Sequence, residues 1–516
     1  MTRPIRRITR ALLLALAVVT HASAAQAQAR DPLQGLDAYI EQAMRDWQVP
    51  GLSIAIVRND SVIFAKGYGV REIGKPARVD ENTVFAVASN TKALTATAVG
   101  MLVSEGKAAW TDRATKHVPT LQLADPWATR ELNLRDLLAH RSGHQTWAGD
   151  LLWYATPRTR AQVLAGVREV DPQWGFRQQY GYSNLMFIAA GEVVPAVTGQ
   201  SWETFVAERF FAPLGMTRTS TTIRALPAME NVATPHTKRD GAVVVTPYRN
   251  VDAGAAAAGI NSSARDWAQW IRLQLGNGAY GGRQLVDSAV VRETRTPQTL
   301  LRMGAGARRL YPTTHFSAYG LGWFLRDYHG RLLVEHSGGM DGMLSQTGYL
   351  PEERFGVVIF TNYDEHSLGT ALFYDVVDRM LGLTERRDWS RAFLDLNNAG
   401  GPPADPEAGR AKDTRPSVAL ERYAGTYTND ILGEARVTVE NGRLYVRVPA
   451  STGISGPMEH WHYDTFRARW EDAYLGTSLV TFALDAEGRP TTFRTQVRPD
   501  FVDPLEYVFT RVPDRR

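Results

Sequence analysis

The chain has 516 residues, which exceeds the usual size of one hydrophobic core and therefore predicts at least two domains. It contains no cysteine, which excludes disulfide bonds and thiol catalysis. The formal net charge is +4, but the first 29 residues supply four arginines and no acidic residue. The remainder has no basic excess, so nucleic acid is not an expected partner.

The first segment, residues 1–29, is typical of a secretory signal peptide. Its arginines precede an apolar stretch over residues 11–19, and small residues follow over 25–29. The apolar stretch is too short to span a bilayer, and no later segment has about 18 uninterrupted apolar residues. We therefore expect a periplasmic or secreted protein without a membrane span.

Strands are predicted near both ends of the next segment, residues 30–398, with helices between them. Alternating and apolar patterns predict a strand hairpin over 51–57 and 61–65, and a helix from Ser89 to about Glu105. The further predicted elements are helices over 132–140 and 367–383 and strands over 332–335, 345–350 and 355–361. This order predicts an α+β domain, with one antiparallel sheet built from both termini and a mostly helical middle.

The composition changes over residues 399–416, where glycine and proline cluster with alternating charges. This pattern predicts a linker. Residues 417–516 contain short alternating segments separated by turns, among them 436–439, 443–448, 478–484 and 491–497. Such a pattern over about 100 residues predicts a small all-β barrel.

Ser89 and Lys92 are spaced one helical turn apart, which allows a nucleophile and a base to meet at the start of a helix. Free backbone N–H groups and the helix dipole favour negative charge at such a position. Ser104 and Lys107 have the same spacing, but Gly106 predicts a helix end between them. Only the first pair therefore has an electrostatic reason to react; the alternative for Ser89 is a simple N-cap serine.

Two further motifs follow the first in order along the chain. Tyr182 and Asn184 form a tyrosine-x-asparagine sequence, and His336 is the only one of 11 histidines followed by x-glycine. His336 ends a predicted strand and leads into Gly338 and Gly339, where glycines let the backbone approach a ligand closely.

With these three motifs, residues 31–383 resemble the serine hydrolases of the β-lactamase and penicillin-binding-protein superfamily, in the class C and peptidase S12 branch. The resemblance extends to the sequences LRDLLAHRSG at 134–143, YGLGW at 319–323 and GVVIFTN at 356–362. It implies a β-lactamase-like antiparallel sheet flanked by helices, with a helical subdomain. The smaller segment from about residue 418 resembles a lipocalin-like β domain, through residues 423–427 and 459–466.

The resemblance implies that Ser89 is the nucleophile and that Lys92 is its partner in the proton network. Tyr182 is implied to act as general base or as proton relay to the leaving group. Whether Lys92 or Tyr182 accepts the serine proton stays open at this stage. Asn184 is implied to hold a substrate carbonyl.

The third motif is implied to supply His336 as a catalytic residue and Ser337, Gly338 and Gly339 as substrate-binding residues. The N–H groups of Ser89 and Gly339 are the expected oxyanion hole. Class C β-lactamases usually have lysine at the position of His336, where the cation holds the substrate carboxylate. Histidine is neutral or only partly charged near pH 7, so it is not expected to hold such a carboxylate firmly. The histidine-x-glycine motif resembles instead that of the D-aminopeptidase and related peptidase branch and of some esterases.

The predicted function is an exported serine hydrolase that forms an acyl-enzyme and cleaves amide bonds of small peptides. The alternative is a carboxylesterase; β-lactamase activity and a penicillin-binding sensor without turnover are less favoured. No cofactor or metal is expected, because His460 and His462 lack an evident third ligand. The β domain is expected either to hold a small apolar ligand or to narrow the cleft with its loops. The sequence does not specify an oligomeric state.

Overall fold

The computed structural model describes residues 31–399 and 407–513. The predicted signal peptide and residues 400–406 of the predicted linker lie outside the described residues. Among the described residues, no helix is both long enough and apolar enough to cross a membrane.

The described strands are numbered here in chain order. They are β1 (Gly51–Arg58), β2 (Ser61–Gly69), β3 (Val84–Ala86), β4 (His236–Arg239), β5 (Ala242–Val245), β6 (Asn261–Ser263), β7 (Ala279–Tyr280), β8 (Arg283–Gln284), β9 (Thr299–Leu301), β10 (Ser317–Tyr319), β11 (Phe324–Tyr328), β12 (Arg331–Met340), β13 (Met343–Leu350), β14 (Phe355–Thr361), β15 (Gly425–Asn429), β16 (Gly433–Glu440), β17 (Arg443–Arg447), β18 (Ser455–His462), β19 (Thr465–Arg469), β20 (Thr477–Leu484), β21 (Pro490–Gln496) and β22 (Glu506–Arg511).

The helices pack around the sheet and form most of the segment between β2 and β9. The α-helices are Leu36–Trp47, Thr91–Ser104, Ala114–His117, Pro126–Glu131, Leu134–Leu138, Arg160–Gly166, Asn184–Thr198, Trp202–Val206, Ala212–Leu214, Ala255–Ala258, Ala264–Leu275, Ser288–Thr294, Ala305–Leu310, Leu368–Met380, Trp389–Asn398 and Leu420–Tyr423. Short 3₁₀ turns cover Ala88–Asn90, Asp150–Leu152, Val167–Glu169, Ile223–Ala228 and Asp252–Gly254, and a π turn covers Ala207–Phe211.

The larger sheet joins strands from both ends of the first domain. Its order is β2-β1-β14-β13-β12-β11-β10-β9, and all of its described pairs are antiparallel. β1 and β14 are buried on both faces, so they read as continuous apolar runs. Side chains alternate between the two faces: Ile54 and Ile359 pack with one helical layer, and Ala55 and Val358 with the other.

The second domain is a closed barrel that runs from β15 to β22 in chain order. Its buried inward residues include tyrosine and phenylalanine rings that contact one another, such as Tyr427 and Phe493 with ring centroids 5.0 Å apart. Together the two domains confirm the predicted α+β class and the C-terminal all-β barrel.

Several predicted segments differ in extent from those observed. The helix expected over 132–140 ends at Leu138, because His140 adopts a left-handed backbone with φ of 53°. Residues 407–416 of the predicted linker lie against the barrel, where Arg410 Nε donates to the carbonyl of Trp461 at 3.1 Å. The strand expected over 332–335 extends to Met340, so the glycine-containing motif lies within β12.

Candidate active site

Ser89 lies on the 3₁₀ turn Ala88–Asn90, directly before the buried Thr91–Ser104 helix. Ala88 has φ of 46°, a left-handed conformation that alanine rarely adopts and that turns the chain sharply before the serine. The turn is pinned to the sheet because Asn90 Nδ2 donates to Ser345 Oγ at 2.7 Å. Ser89 therefore has a fixed position at a helix N-terminus.

Lys92 Nζ lies 2.9 Å from Ser89 Oγ and donates to the carbonyl of Ala257 at 2.9 Å. Ser104 and Lys107, which have the same spacing, do not contact each other in this way, as expected from the helix end predicted between them. Ser104 Oγ donates to the carbonyl of Met101 at 3.0 Å, and Lys107 pairs with the exposed Glu105. Spacing alone does not bring serine and lysine together; the buried helix start does.

Lys92 is buried, and burial lowers the pKa of its ammonium to about 7, although the nearby Asp150 raises it. Its Nζ lies 4.7 Å from the ring centroid of Tyr182 and 5.5 Å from that of Phe187. A lysine in this environment is partly neutral near pH 7 and has a free electron pair to accept a proton.

Tyr182 contacts Ser89 from the other side of the cleft. Burial raises the pKa of the Tyr182 phenol, while the contact with Ser89 opposes that shift. The buried His140 supports the ring, with centroids 4.1 Å apart at an interplanar angle of 31°. The Tyr182 hydroxyl is therefore protonated at neutral pH and is held as a proton donor.

Asn184 begins the Asn184–Thr198 helix, for which the side chain of Ser183 is the N-cap. Its Nδ2 donates to Asp150 Oδ2 at 2.6 Å, and its Oδ1 has no hydrogen-bond partner among the described residues. Asp150 also accepts from Trp153 Nε1 at 2.8 Å. Burial raises the pKa of Asp150 to about 8, so this carboxyl is partly protonated near neutral pH.

His336 is 1% exposed and lies on β12 opposite Thr347. Its Nδ1 lies 2.6 Å from the carbonyl of Ser337 and its Nε2 lies 3.0 Å from the hydroxyl of Tyr319. A carbonyl only accepts, so the proton sits on Nδ1, and Nε2 accepts from Tyr319. Burial, with a further contribution from Lys92, lowers the pKa of His336 to about 3, so the imidazole is neutral.

Gly338 is the point at which β12 comes closest to the serine turn. A Cβ atom there would lie 2.4 Å from the carbonyl oxygen of Val87 and 3.0 Å from the nitrogen of Ser89. Any other residue would push the strand away from Ser89. Ser337 and Gly339, by contrast, are exposed on the strand and line the cleft. The structure thus brings together all the site residues that the sequence predicted.

The cleft contains a cavity of about 310 Å³ whose lining includes Ser89, Tyr182, Asn184 and His336. Most of the remaining lining is aromatic or apolar. It comprises Trp147, Trp153, Tyr154, Tyr180, Ala258, Phe324, Met340, Phe501 and Val502, with Thr146, Asp150, Ser337 and Asp341 as the polar side chains and Gly339 as backbone.

The barrel supplies one wall of this cavity, through Phe501 and Val502. Its interior is filled by aromatic side chains, so of the two roles expected for the barrel the observed packing fits the narrowing of the cleft. His460 Nε2 lies 3.0 Å from the carbonyl of Tyr463, and His462 Nδ1 accepts from the N–H of Ala411. Both histidines therefore have structural partners.

Comparison with known proteins agrees with this geometry. The family model described as beta-lactamase matches residues 36–376, which carry every site residue of the first domain. The chain belongs to the beta-lactamase family. A second model, described as a domain of unknown function (DUF3471), matches residues 409–508, the barrel of this family member.

Two relatives and a solved structure are similar to this chain over 64% to 93% of its length. The unguisins hydrolase ungD of Aspergillus violaceofuscus (strain CBS 115571) is 27% identical over 89% of this chain and 87% of its own length. Protein flp of Staphylococcus aureus (strain COL) is 27% identical over 64% of this chain and 63% of its own length. The octameric penicillin-binding protein homologue from Pyrococcus abyssi has a TM-score of 0.61 at 20% identity, covering 93% and 100% of the two chains, and therefore shows the same fold.

Sequence analysis missed Asp150, Asp503 and Phe501. Asp150 has no motif of its own and becomes significant only because it contacts Asn184. Asp503 is fully buried in the barrel, and its Oδ2 accepts from the N–H of Leu151 at 3.0 Å. No local pattern indicates that a barrel loop reaches the cleft. His140 and Tyr319 lie in sequences that the family resemblance included, but they were given no role.

Proposed function

We propose that this protein forms an acyl-enzyme at Ser89 and cleaves amide bonds of small peptides. The observation that carries the proposal is the 2.9 Å approach of the buried Lys92 Nζ to Ser89 Oγ, combined with a lysine pKa of about 7. A buried lysine of this kind acts as a base without any other activating group.

The environments of Lys92 and Tyr182 favour a division of roles between them. Neutral Lys92 accepts the proton of Ser89 Oγ as this oxygen bonds to the substrate carbonyl carbon. The N–H groups of Ser89 and Gly339 stabilise the oxyanion, an interaction that typically contributes about 3 to 4 kcal/mol for each donor. When the bond to the leaving group breaks, Tyr182 donates a proton to that group and is reprotonated from the lysine ammonium. Water then hydrolyses the acyl-enzyme and restores the serine proton.

The free hydrogen-bond acceptor of Asn184 favours an amide substrate. One N–H of Nδ2 is donated to Asp150, whereas Oδ1 has no partner among the described residues. An amide N–H can donate to Oδ1, and an ester has no such hydrogen. The unguisins hydrolase named above is aligned over most of both domains, and its name supports hydrolysis without favouring an amide over an ester.

A carboxylesterase is the second candidate, favoured by the neutral His336 and the apolar lining of the cleft. An ester or a neutral peptide has no carboxylate, so neither substrate needs a cationic side chain in the cleft. The same two features disfavour a β-lactam, whose carboxylate would find no cationic partner at His336. Export through a signal peptide remains part of the proposal.

The decisive experiment is hydrolysis of a panel of peptide amides by the mature protein and by Ser89→Ala. We expect turnover to fall by at least about a thousandfold in the variant, because the nucleophile is removed. Ser104→Ala is the matched control, since it removes a helix serine outside the cleft. Undiminished turnover in Ser89→Ala would overturn the proposal.

Amidase and esterase activity are separated by comparing kcat/KM for p-nitroanilides and p-nitrophenyl esters of the same acyl group. We expect substantial anilide and peptide turnover, sensitive to Asn184→Ala, because that variant removes the acceptor for the amide N–H. Ester hydrolysis without measurable amide hydrolysis would favour the carboxylesterase instead.

A further inference from the structure

The cavity beside Ser89 contains no lysine or arginine side chain in its lining, as far as residues 31–399 and 407–513 show. Besides the catalytic tyrosine, six of its lining residues have large aromatic side chains: Trp147, Trp153, Tyr154, Tyr180, Phe324 and Phe501. Its acidic groups are Asp150, which is bound to Asn184, and Asp341, which is paired with Arg249. Such a lining suits an uncharged, apolar group.

Phe501 differs from the other aromatic rings because it belongs to the barrel. It is 36% exposed, and its ring centroid lies 6.5 Å from that of Trp147 across the cavity mouth. On its other side the guanidinium of Arg498 lies 4.8 Å from the ring, and Tyr474 lies 5.9 Å away. Phe501 is thus supported from behind while part of its surface stays free.

The residues that follow Phe501 fasten it to the first domain. Val502 is 3% exposed and Asp503 is fully buried. Asp503 Oδ2 accepts from the N–H of Leu151 at 3.0 Å and from the hydroxyl of Tyr507 at 2.5 Å. Leu151 lies on the same turn as Asp150 and four residues after Trp147. The hydrogen bond between Asp503 and Leu151 therefore helps to hold both Phe501 and Trp147 in place.

We propose that Phe501 and Trp147 form a subsite, with one wall from each domain, that binds an aromatic or branched apolar side chain of the substrate. This inference rests on the proposed acyl transfer at Ser89 and specifies its substrate class. Phe501 is a specificity-determining residue, because an apolar substrate group leaves water by packing against the surface that the two contacting rings form together. The barrel is therefore part of the substrate site.

The test compares substrates that differ only in one apolar group. The p-nitrophenyl esters of phenylacetic acid and acetic acid vary the acyl group. The benzyl and ethyl esters of acetic acid vary the leaving alcohol. In Phe501→Ala we expect the preference in kcat/KM for the aromatic member of at least one pair to fall about 5- to 10-fold. Phe501→Trp should retain most of it, because a large ring still faces Trp147.

Phe316→Ala is the matched control, because it removes a phenylalanine that is 45% exposed in the first domain and does not line the cavity. We expect unchanged preferences in that variant, and unchanged thermal unfolding in both alanine variants. Unchanged preferences in Phe501→Ala for both substrate pairs would overturn the subsite.

Covalent labelling of Ser89 distinguishes failure of the subsite from failure of the proposed function. Wild type and Phe501→Ala are treated with phosphonate esters that carry a benzyl or a methyl group, and the labelling rates are measured by mass spectrometry. A fall in the benzyl-to-methyl rate ratio in the variant supports the subsite. Labelling with equal ratios overturns the subsite alone, whereas absence of both labelling and turnover in wild type counts against acyl transfer itself.

Discussion

Around Ser89 the protein buries ionisable groups whose pKa values burial shifts strongly, whereas the barrel interior is filled largely by aromatic rings. Burial shifts the pKa of Lys92 down to about 7 and that of Asp150 up to about 8. In the barrel, by contrast, the hydroxyl of Tyr427 donates to the carbonyl of Tyr423 at 2.8 Å. Burying a charge is far less favourable than burying a ring, so the two interiors serve different ends.

Among the described residues, buried side-chain polar atoms without a hydrogen-bond partner lie mostly in the first domain, both beside the cleft and away from it. His140 Nε2 and Asn184 Oδ1 have no hydrogen-bond partner beside the cleft. Within residues 407–513, the only buried unpaired side-chain atom is Ser451 Oγ, near the contact with the first domain. Of His140 and Asn184, the latter lines the cavity, so its unpaired oxygen lies at the substrate site, whereas the barrel interior contributes to stability. Substitutions in the cleft should therefore change rate and pH dependence, and substitutions in the barrel interior should change stability.

The largest expected effect is that of Lys92→Arg. Arginine keeps the positive charge but does not lose its proton near neutral pH, so the serine loses its base. We expect kcat/KM to fall by about a thousandfold or more at pH 8, measured with the best substrate of the panel. Lys107→Arg is the control, because Lys107 has the same spacing from a serine but pairs with Glu105 at the surface.

In the barrel, Phe482→Ala should reduce stability strongly and leave the chemistry intact. Phe482 is 4% exposed and contacts the rings of Tyr423, Phe466 and Phe493. Its removal should lower the free energy of unfolding by about 3 to 5 kcal/mol, as large-to-small core substitutions do. Chemical denaturation measures the loss, with kcat/KM determined on the folded fraction.

The control for that experiment lies on the same strand. Leu479→Ala removes an apolar side chain that is 44% exposed on the outer face of β20, and it should change stability by less than about 0.5 kcal/mol. A large loss of kcat/KM in folded Phe482→Ala would contradict the separation of roles.

Asp503→Ala should affect both properties, because Asp503 connects the two regions. The variant leaves the Leu151 N–H and the Tyr507 hydroxyl without their acceptor, which should cost about 2 to 3 kcal/mol in free energy of unfolding. It also frees the turn that carries Asp150, so KM should rise. Tyr507→Phe keeps the contact with Leu151 and is the control: a rise of KM in both variants would contradict a specific role for that contact.

The cleft was predictable from sequence as far as local spacing and family resemblance reach. Ser89 and Lys92 are one turn apart, so a helix suffices to join them, and the resemblance supplied Tyr182 and His336. The contact between Asp503 and Leu151 spans 352 residues and two domains, and no local pattern encodes it. The early end of the 132–140 helix was missed for a related reason, since the left-handed backbone of His140 is stabilised by buried contacts with Tyr182 and its neighbours.

The smallest expected effect is a shift of the pH profile. Because only neutral Lys92 accepts the serine proton, log kcat/KM should rise with a slope of about one below pH 7 and then level off. Asp150 raises the pKa of Lys92, so Asp150→Asn should lower that pKa and move the profile to lower pH, by up to about one unit. The asparagine oxygen still accepts from Trp153.

Asp125→Asn, at a surface helix N-cap, makes the same chemical change away from the cleft and should leave the profile in place. A shift to higher pH in Asp150→Asn, or a flat profile in wild type between about pH 6 and 9, would show that Lys92 is not the titrating base.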